Sequence, residues 1–406
     1  MVNTVLDPKA AVCASPSGHR ETGLATNEQF TALVIRSFPE IERAREIWTA
    51  WQQHPNADID FYLNIARTSP NFVRPHILVA YRDGLPQAML VGRIEHREIE
   101  CKIGYRTVFK PRARVLNFVY GGMLGNLSAE ASQSLVEVVT SSLRTEEVDI
   151  AHFNLLRTDQ PVYAVARRAA GFLGNPWPAL QTHRGTALSR NGEDLTSVLP
   201  RRIQRRIKKL ISDFPGKVRI HCFRRTVELD RMVEDVEEVA KKTYQRGIGV
   251  GFVDDTVTRE RLRLEAEKGW LRGHVLYVAD RPCAFWIGTL YRGTFHTNFT
   301  GYDSDLGKYS PGMFLLMRVI EDLNGHGELV LNIDWGLGDA EYKEILGTCD
   351  WQEASVQIFA RTFKGLRLNF FVSSCVLANR LVKSALERTE LLARIKKLWR
   401  TQARQQ

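Results

Sequence analysis

Asp334, Glu341, Lys343 and His296 are the residues of this 406-residue chain whose types and settings best suit acid–base chemistry. Asp334 follows an apolar run, Leu329–Ile333, and precedes a turn containing Gly336 and Gly338. This predicts a carboxylate at the C-terminal end of a strand, where open α/β sheets gather their sites. An aspartate there accepts a proton or orients an amine, and the plain alternative is a turn-forming side chain. Glu341 and Lys343 fall on a short predicted helix after the glycine turn. Glu341 is a second candidate base, and Lys343 a cation for a substrate anion or a developing oxyanion. His296 sits on a predicted strand, Thr294–Tyr302, in which Phe295, Thr297 and Phe299 alternate with His296, Asn298 and Thr300. Its ordinary pKa near neutrality suits a base. No Gly-x-Ser-x-Gly elbow or partnered cysteine supplies a covalent nucleophile, so direct attack by an acceptor is the expected route.

The element that must serve these residues begins at Lys308-Tyr309-Ser310-Pro311-Gly312. A serine before a helix caps a free N–H, and a proline in the first turn loses nothing by lacking its donor. Gly312 leaves room for a ligand to approach the backbone. Free N–H groups and the helix dipole then favour an anion such as phosphate. Met313, Leu316, Met317, Ile320 and Leu323 recur at helical spacing, and Asn324-Gly325 is the expected stop. A capped core helix that binds nothing is the competing reading.

Two β-hairpins frame the rest. His76–Gly92 places apolar runs on either side of Asp83-Gly84, and His274–Gly288 repeats the pattern with a short polar turn. Each is followed by a strand (Val115–Tyr120, Thr294–Tyr302), a helix (Ala129–Leu143, Met313–Leu323) and another strand (Val148–Leu155, Leu329–Ile333). The order predicts an internal repeat of two mixed α/β units. Residues 1–27 read as a loose tail, 28–195 as a first domain, 196–365 as a second, and 366–406 as a basic helical extension.

Charged and hydrophobic fractions of 25% and 44% are those of an ordinary globular protein. The net charge of +10 concentrates in 201–209 and 391–406, which leaves the rest of the chain close to neutral. That excludes a broad nucleic-acid-binding face. In 201–209, Ile203, Ile207 and Leu210 form a docking stripe under a cationic surface suited to an anionic acceptor. Leu392, Ile395, Leu398 and Trp399 alternate with basic residues, as in a segment lying on an anionic membrane. Leu368–Asn379 is too short to span a bilayer and reads as a buried or interfacial helix. Six scattered cysteines define neither a zinc site nor a disulfide framework, so no metal is expected. A cytoplasmic location, peripheral to the inner membrane, fits these features.

The order hairpin, strand, Ser-Pro-Gly helix, strand, Asp, glycine turn and Tyr-Lys resembles the acetyltransferase domain of the CelD/BcsL group. That group belongs to the GNAT superfamily and is related to the FemAB aminoacyl transferases. The match rests on Tyr302-Asp303, Lys308 to Gly312, Asp334, Gly336, Gly338, Tyr342-Lys343 and the Arg-rich stretch Arg201–Lys209. It is clearest over about 195–365. The resemblance implies two tandem GNAT-like acyltransferase domains and acyl transfer from acetyl-CoA or another acyl-CoA to an amine or hydroxyl. Lys308, Tyr309, Ser310, Pro311 and Gly312 would then hold the cofactor pyrophosphate. A small-molecule or glycan acceptor is implied, such as an amino sugar, polysaccharide or cell-envelope precursor. The first half has no Ser-Pro-Gly counterpart, since Tyr120–Gly125 lacks a cap before an apolar run. One cofactor site, in the second half, is therefore expected. The alternatives are a FemAB-like enzyme using aminoacyl-tRNA and a non-catalytic, membrane-associated scaffold.

Overall fold

Turn chemistry sets the strand register. In the computed structural model, Asp83 and Gly84 both take positive φ (52° and 74°), as do Ala279 and Asp280 (50° and 63°) and Arg292 and Gly293 (47° and 78°). Such two-residue turns match the strand twist and close tight antiparallel hairpins. The structure describes residues 30–103, 106–145, 147–175, 177–188, 199–243, 246, 251–325, 330–338 and 340–388. The tails 1–27 and 391–406 and most of the linker around Ser189–Pro200 lie outside the described residues.

The chain divides into two units, one comprising Thr182–Asp350 and the other drawn from Ser15–Gln181 with Trp351–Leu391. In the first half of the chain the strands are β1 (Thr31–Ile35), β2 (Phe72–Pro75), β3 (Ile77–Arg82), β4 (Leu85–Glu98), β5 (Cys101–Ile103), β6 (Arg106–Phe109), β7 (Arg112–Gly125) and β8 (Ile150–Arg157). The order β1-β3-β4-β7-β8 is antiparallel except for its last pair. There β7 runs parallel to β8, from Val115↔Ile150 to Phe118↔Phe153, with helix Ala129–Arg144 as the crossover. That helix buries Leu135, Val136 and Val139 against Leu90, Leu116 and Phe153.

The second half supplies β9 (Gln181–Ala187), β10 (Val218–Phe223), β11 (Leu271–Val278), β12 (Arg281–Tyr291), β13 (Thr294–Tyr302) and β14 (Asn332–Leu337). The order β10-β11-β12-β13-β14 repeats that of the first unit. Here too the last pair is parallel, from Thr294↔Asn332 to His296↔Asp334, and helix Pro311–Gly325 is the crossover. The expected repeat is thus present as two runs of strands of one topology.

Along each strand order a sixth, antiparallel strand joins from outside the repeat, while β2 pairs with β4 beside the first order. β9, from the link between the repeats, pairs with β14 (Asn332↔Ala187 to Leu337↔His183). β15 (Cys349–Phe359), near the chain's far end, pairs with β8 (Glu353↔Arg157 to Phe359↔Ile150). Residues 351–388, including helix Phe363–Arg388, therefore accompany the first unit, although the sequence places 351–365 with the second.

Two local expectations need correction. Asp334 does not follow its strand: β14 runs Asn332–Leu337 and carries Asp334 and Trp335 inside it. Pairing with β9, which comes from far away in the chain, extends the strand past the apolar run. The alternation along β13 also breaks. A bulge shifts the register from Ile287↔Phe299 to Gly288↔Thr297, so Phe295 and Phe299 join different cores.

Candidate functional site

Two groups of side chains stand out in the second unit, and β13 links them. The first is a cleft of about 530 Å³ at the start of helix Pro311–Gly325, lined by Ser310, Gly312, Tyr302, Glu341, Arg202 and Arg206 among others. Ser310 takes a left-handed conformation (φ 55°) and its carbonyl accepts the Phe314 N–H at 3.1 Å. The Gly312 and Met313 N–H groups precede that first intrahelical bond, so the helix start presents donors of the kind that hold anions. A Cβ on Gly312 would lie 3.2 Å from Tyr302 Cδ1, so glycine keeps this wall open.

The basic helix Arg201–Asp213 packs through buried Ile203 and Leu210, as its stripe predicts, and so aims Arg202 and Arg206 into the cleft. Tyr309 fixes the two elements together. It is buried, donates to Asp213 Oδ2 at 2.9 Å and stacks edge-on against Phe214. Asp303 anchors the preceding loop, accepting from Lys242 Nζ at 2.8 Å and from the Asp305 N–H at 3.0 Å. Lys308 is exposed over the Tyr309 ring, and Pro311 is buried. Of the five expected cofactor-binding residues, the cleft thus brings together Ser310 and Gly312. Tyr309 shapes the loop from behind.

The second group is buried. Asp334 accepts from His183 at 2.5 Å (Nε2 to Oδ1), from His296 at 3.1 Å (Nδ1 to Oδ2) and from the Gly336 N–H at 2.7 Å. Burial pushes the Asp334 carboxyl up, but His183 and His296 outweigh it and hold the group well below the usual carboxylate range. An ionised carboxylate only accepts, so each imidazole presents an N–H to it. Trp335, next along β14, donates to Thr186 Oγ1 at 2.7 Å and stacks on Trp286 at 5.5 Å, a rigid floor for the group.

The structure therefore brings Asp334 and His296 together, and adds His183. Sequence reasoning missed His183 because it lies on β9, a strand whose pairing with β14 spans about 150 residues and leaves no local signal. Lys343 is buried and donates to the Leu337 carbonyl at 2.6 Å, where it braces the glycine turn. Glu341 is exposed on the cleft wall, 3.5 Å from Arg202. From His296 to Thr300, which lines the cleft, β13 covers four residues, or about 13 Å. An extended donor bound at the cleft has that distance to bridge.

Residues 199–344 match the acetyltransferase (GNAT) domain family. Among solved structures, the chain is similar to FemX, with 10% identity and a TM-score of 0.53 over 82% of this chain and 98% of that one. It is also similar to a tandem GNAT protein from the clavulanic acid biosynthesis pathway, with 11% identity and a TM-score of 0.50 over 82% of this chain and 99% of that one. The fold is the GNAT fold. No curated protein matches the chain in sequence. The GNAT-matching span falls within the second unit, the one that carries both groups of residues.

Proposed function

We propose that this GNAT protein is an acyl-CoA-dependent N- or O-acyltransferase whose donor site is the cleft at Ser310–Gly312. The observation that carries the reading is the convergence of Arg202 and Arg206, from a separate helix, on the helix start that offers free N–H groups. Two guanidiniums and a helix N-terminus are a matched set for a diphosphate. A bound acyl-CoA supplies an activated thioester carbonyl. The chain's own residues bind and orient it and remove the acceptor's proton.

His296 is the base in this reading. Asp334 holds its Nδ1–H and so fixes the tautomer in which Nε2 accepts a proton. His183 donates to the other carboxylate oxygen and keeps Asp334 ionised and oriented. Lys343 acts through the turn rather than on substrate. An amino sugar, polysaccharide or cell-envelope precursor as acceptor follows from the resemblance to the CelD/BcsL group.

Thermal melts with coenzyme A, acetyl-CoA and longer acyl-CoAs test the donor site. A donor at a hundredfold excess over its Kd adds about 2.7 kcal/mol, several degrees in Tm. The double variant Arg202→Ala/Arg206→Ala should lose most of that gain. If no acyl-CoA moves the wild-type transition, the reading fails. The FemX-like fold supports a second reading, aminoacyl transfer from tRNA by a FemAB-like enzyme. Salt-sensitive binding of aminoacyl-tRNA, without any shift from acyl-CoA, would favour it.

A further inference from the structure

Helix Phe363–Arg388 is apolar on the wrong side. It docks through buried Leu368 and half-buried Val372, Cys375 and Val376, with Leu368 packing in a core of Val115, Ile150 and Phe359. Its opposite face carries Phe363, Leu366, Phe370, Leu377 and Leu381 at offsets of 0, 3, 7, 14 and 18, one stripe of a 3.6-residue helix. All are open to solvent: Phe363 is 83% exposed, Phe370 67% and Leu381 62%. The apolar surface continues on both sides. Phe172 and Trp177 line a groove of about 410 Å³ with Leu366, Phe370 and Leu377. Exposed Val108 and Phe109 of the β5–β6 hairpin extend it where Phe109 meets Phe371 at 5.2 Å. A soluble surface rarely leaves so large a patch bare.

Charge identifies what the patch fits. Residues 363–388 hold five basic residues and one acidic residue, Glu387. Exposed Arg367 and Arg380 flank the stripe, and Arg380 stacks over the Trp177 ring at 5.0 Å. A second copy would set like charges against each other. An anionic bilayer meets both the apolar stripe and its cationic margins, with tryptophan and arginine at headgroup depth. Among the described residues no helix is long and apolar enough to cross a membrane, so the geometry is that of a helix lying in the surface plane.

We propose that the exposed face of helix Phe363–Arg388, with Phe172 and Trp177, is a docking site for an anionic lipid bilayer. This goes beyond the donor-site reading and does not depend on it.

Flotation of the full chain with phosphatidylglycerol/phosphatidylcholine vesicles, and with phosphatidylcholine alone, provides the test. The wild type should float with the anionic vesicles, and less so as salt rises. Phe370→Ser/Leu377→Ser/Leu381→Ser should cut the bound fraction roughly tenfold or more. Arg367→Glu/Arg380→Glu, which leaves the apolar stripe intact, should remove the preference for anionic vesicles and decides the matter if the triple variant folds poorly. A wild type that ignores the vesicles overturns the proposal. So does undiminished binding by both variants, which would move the contact to segments 201–209 or 391–406. A wild-type dimer that ignores the vesicles and turns monomeric in the triple variant overturns it in favour of self-association.

Discussion

The third rung of the parallel ladder differs between the two repeats. In the first unit it pairs Asn117 with His152, and in the second His296 with Asp334. Topology and position are the same, but the chemistry is opposite. His152 Nδ1 lies 3.1 Å from Asn117 Oδ1 and 3.1 Å from Arg97 Nη1. Burial, with help from the Arg97 charge, pushes its pKa down to about 4, so it stays neutral at pH 7. Asp334 instead stays ionised between two imidazoles. The glycines before the crossover helices diverge as well. A Cβ at Gly121 would lie 2.5 Å from His54 Cβ, and one at Gly125 would lie 2.5 Å from the Gln87 carbonyl and 3.1 Å from the Trp51 ring. Where the second repeat keeps space at its helix start, the first has filled it with its own side chains. One repeat fills the approach to its crossover helix with packing, and the other leaves a cleft there.

The sharpest way to break this comparison is at the two rungs. Asp334→Asn should lower acyl transfer about a thousandfold, within the range for a lost acid–base group. Asn117→Asp should leave the rate within about threefold, and similar losses at both rungs would remove the distinction. Acid stability comes next. The folded-state pKa of His152 lies below its unfolded value of about 6.5, so the unfolded chain takes up the proton first. The stability held by neutral His152 is complete above pH 6.5 and is lost as pH falls from there to about 4. His76, pushed down to about 3 by burial, adds to the same loss. Melting midpoints followed from pH 7 to pH 4 should fall, and His152→Gln should flatten the slope by up to about 3 kcal/mol across the window.

A smaller effect separates the glycines. Gly121→Ala forces a side chain at φ 74° against His54 and should cost about 2 kcal/mol in denaturant melts. Gly312→Ala should change stability by less than about 0.5 kcal/mol, the tight approach of its Cβ to Tyr302 being offset by the helix propensity of alanine, while weakening acyl-CoA binding several-fold in calorimetry. The smallest effect is at Glu341. Glu341→Gln breaks an exposed ion pair that competes for Arg202, and should tighten acyl-CoA binding by no more than about threefold. Weaker binding would mean that Glu341 positions the donor itself.

Features with a local cause were legible in the sequence. The Asp83-Gly84 turn, the docking stripe of Arg201–Asp213 and the helix beginning at Pro311 each follow from a few neighbouring residues. Asp334 and His296 were recognisable as candidates by type, but their contact was not, because it depends on a parallel pairing across a crossover helix. His183 and the true span of β14 rest on an antiparallel partner even more remote. The resemblance implies a pyrophosphate contact for Tyr309 along with Lys308, Ser310, Pro311 and Gly312. The Tyr309 hydroxyl is instead used by Asp213, at the end of the preceding basic helix.

The exchanged sixth strands also constrain how the protein is made. The first unit reaches β8 at Arg157 but is completed only by residues 353–359, almost two hundred positions later. At 5–20 residues per second, a ribosome needs roughly 10–40 s to deliver them. During that interval the edge of β8 is an unpaired strand, the kind of surface that recruits chaperones or sticks to other nascent chains. The second unit takes β9, the antiparallel partner of β14, from residues already synthesised. Biosynthesis would then run against the usual order, with the C-terminal unit's strands made before the N-terminal unit is whole.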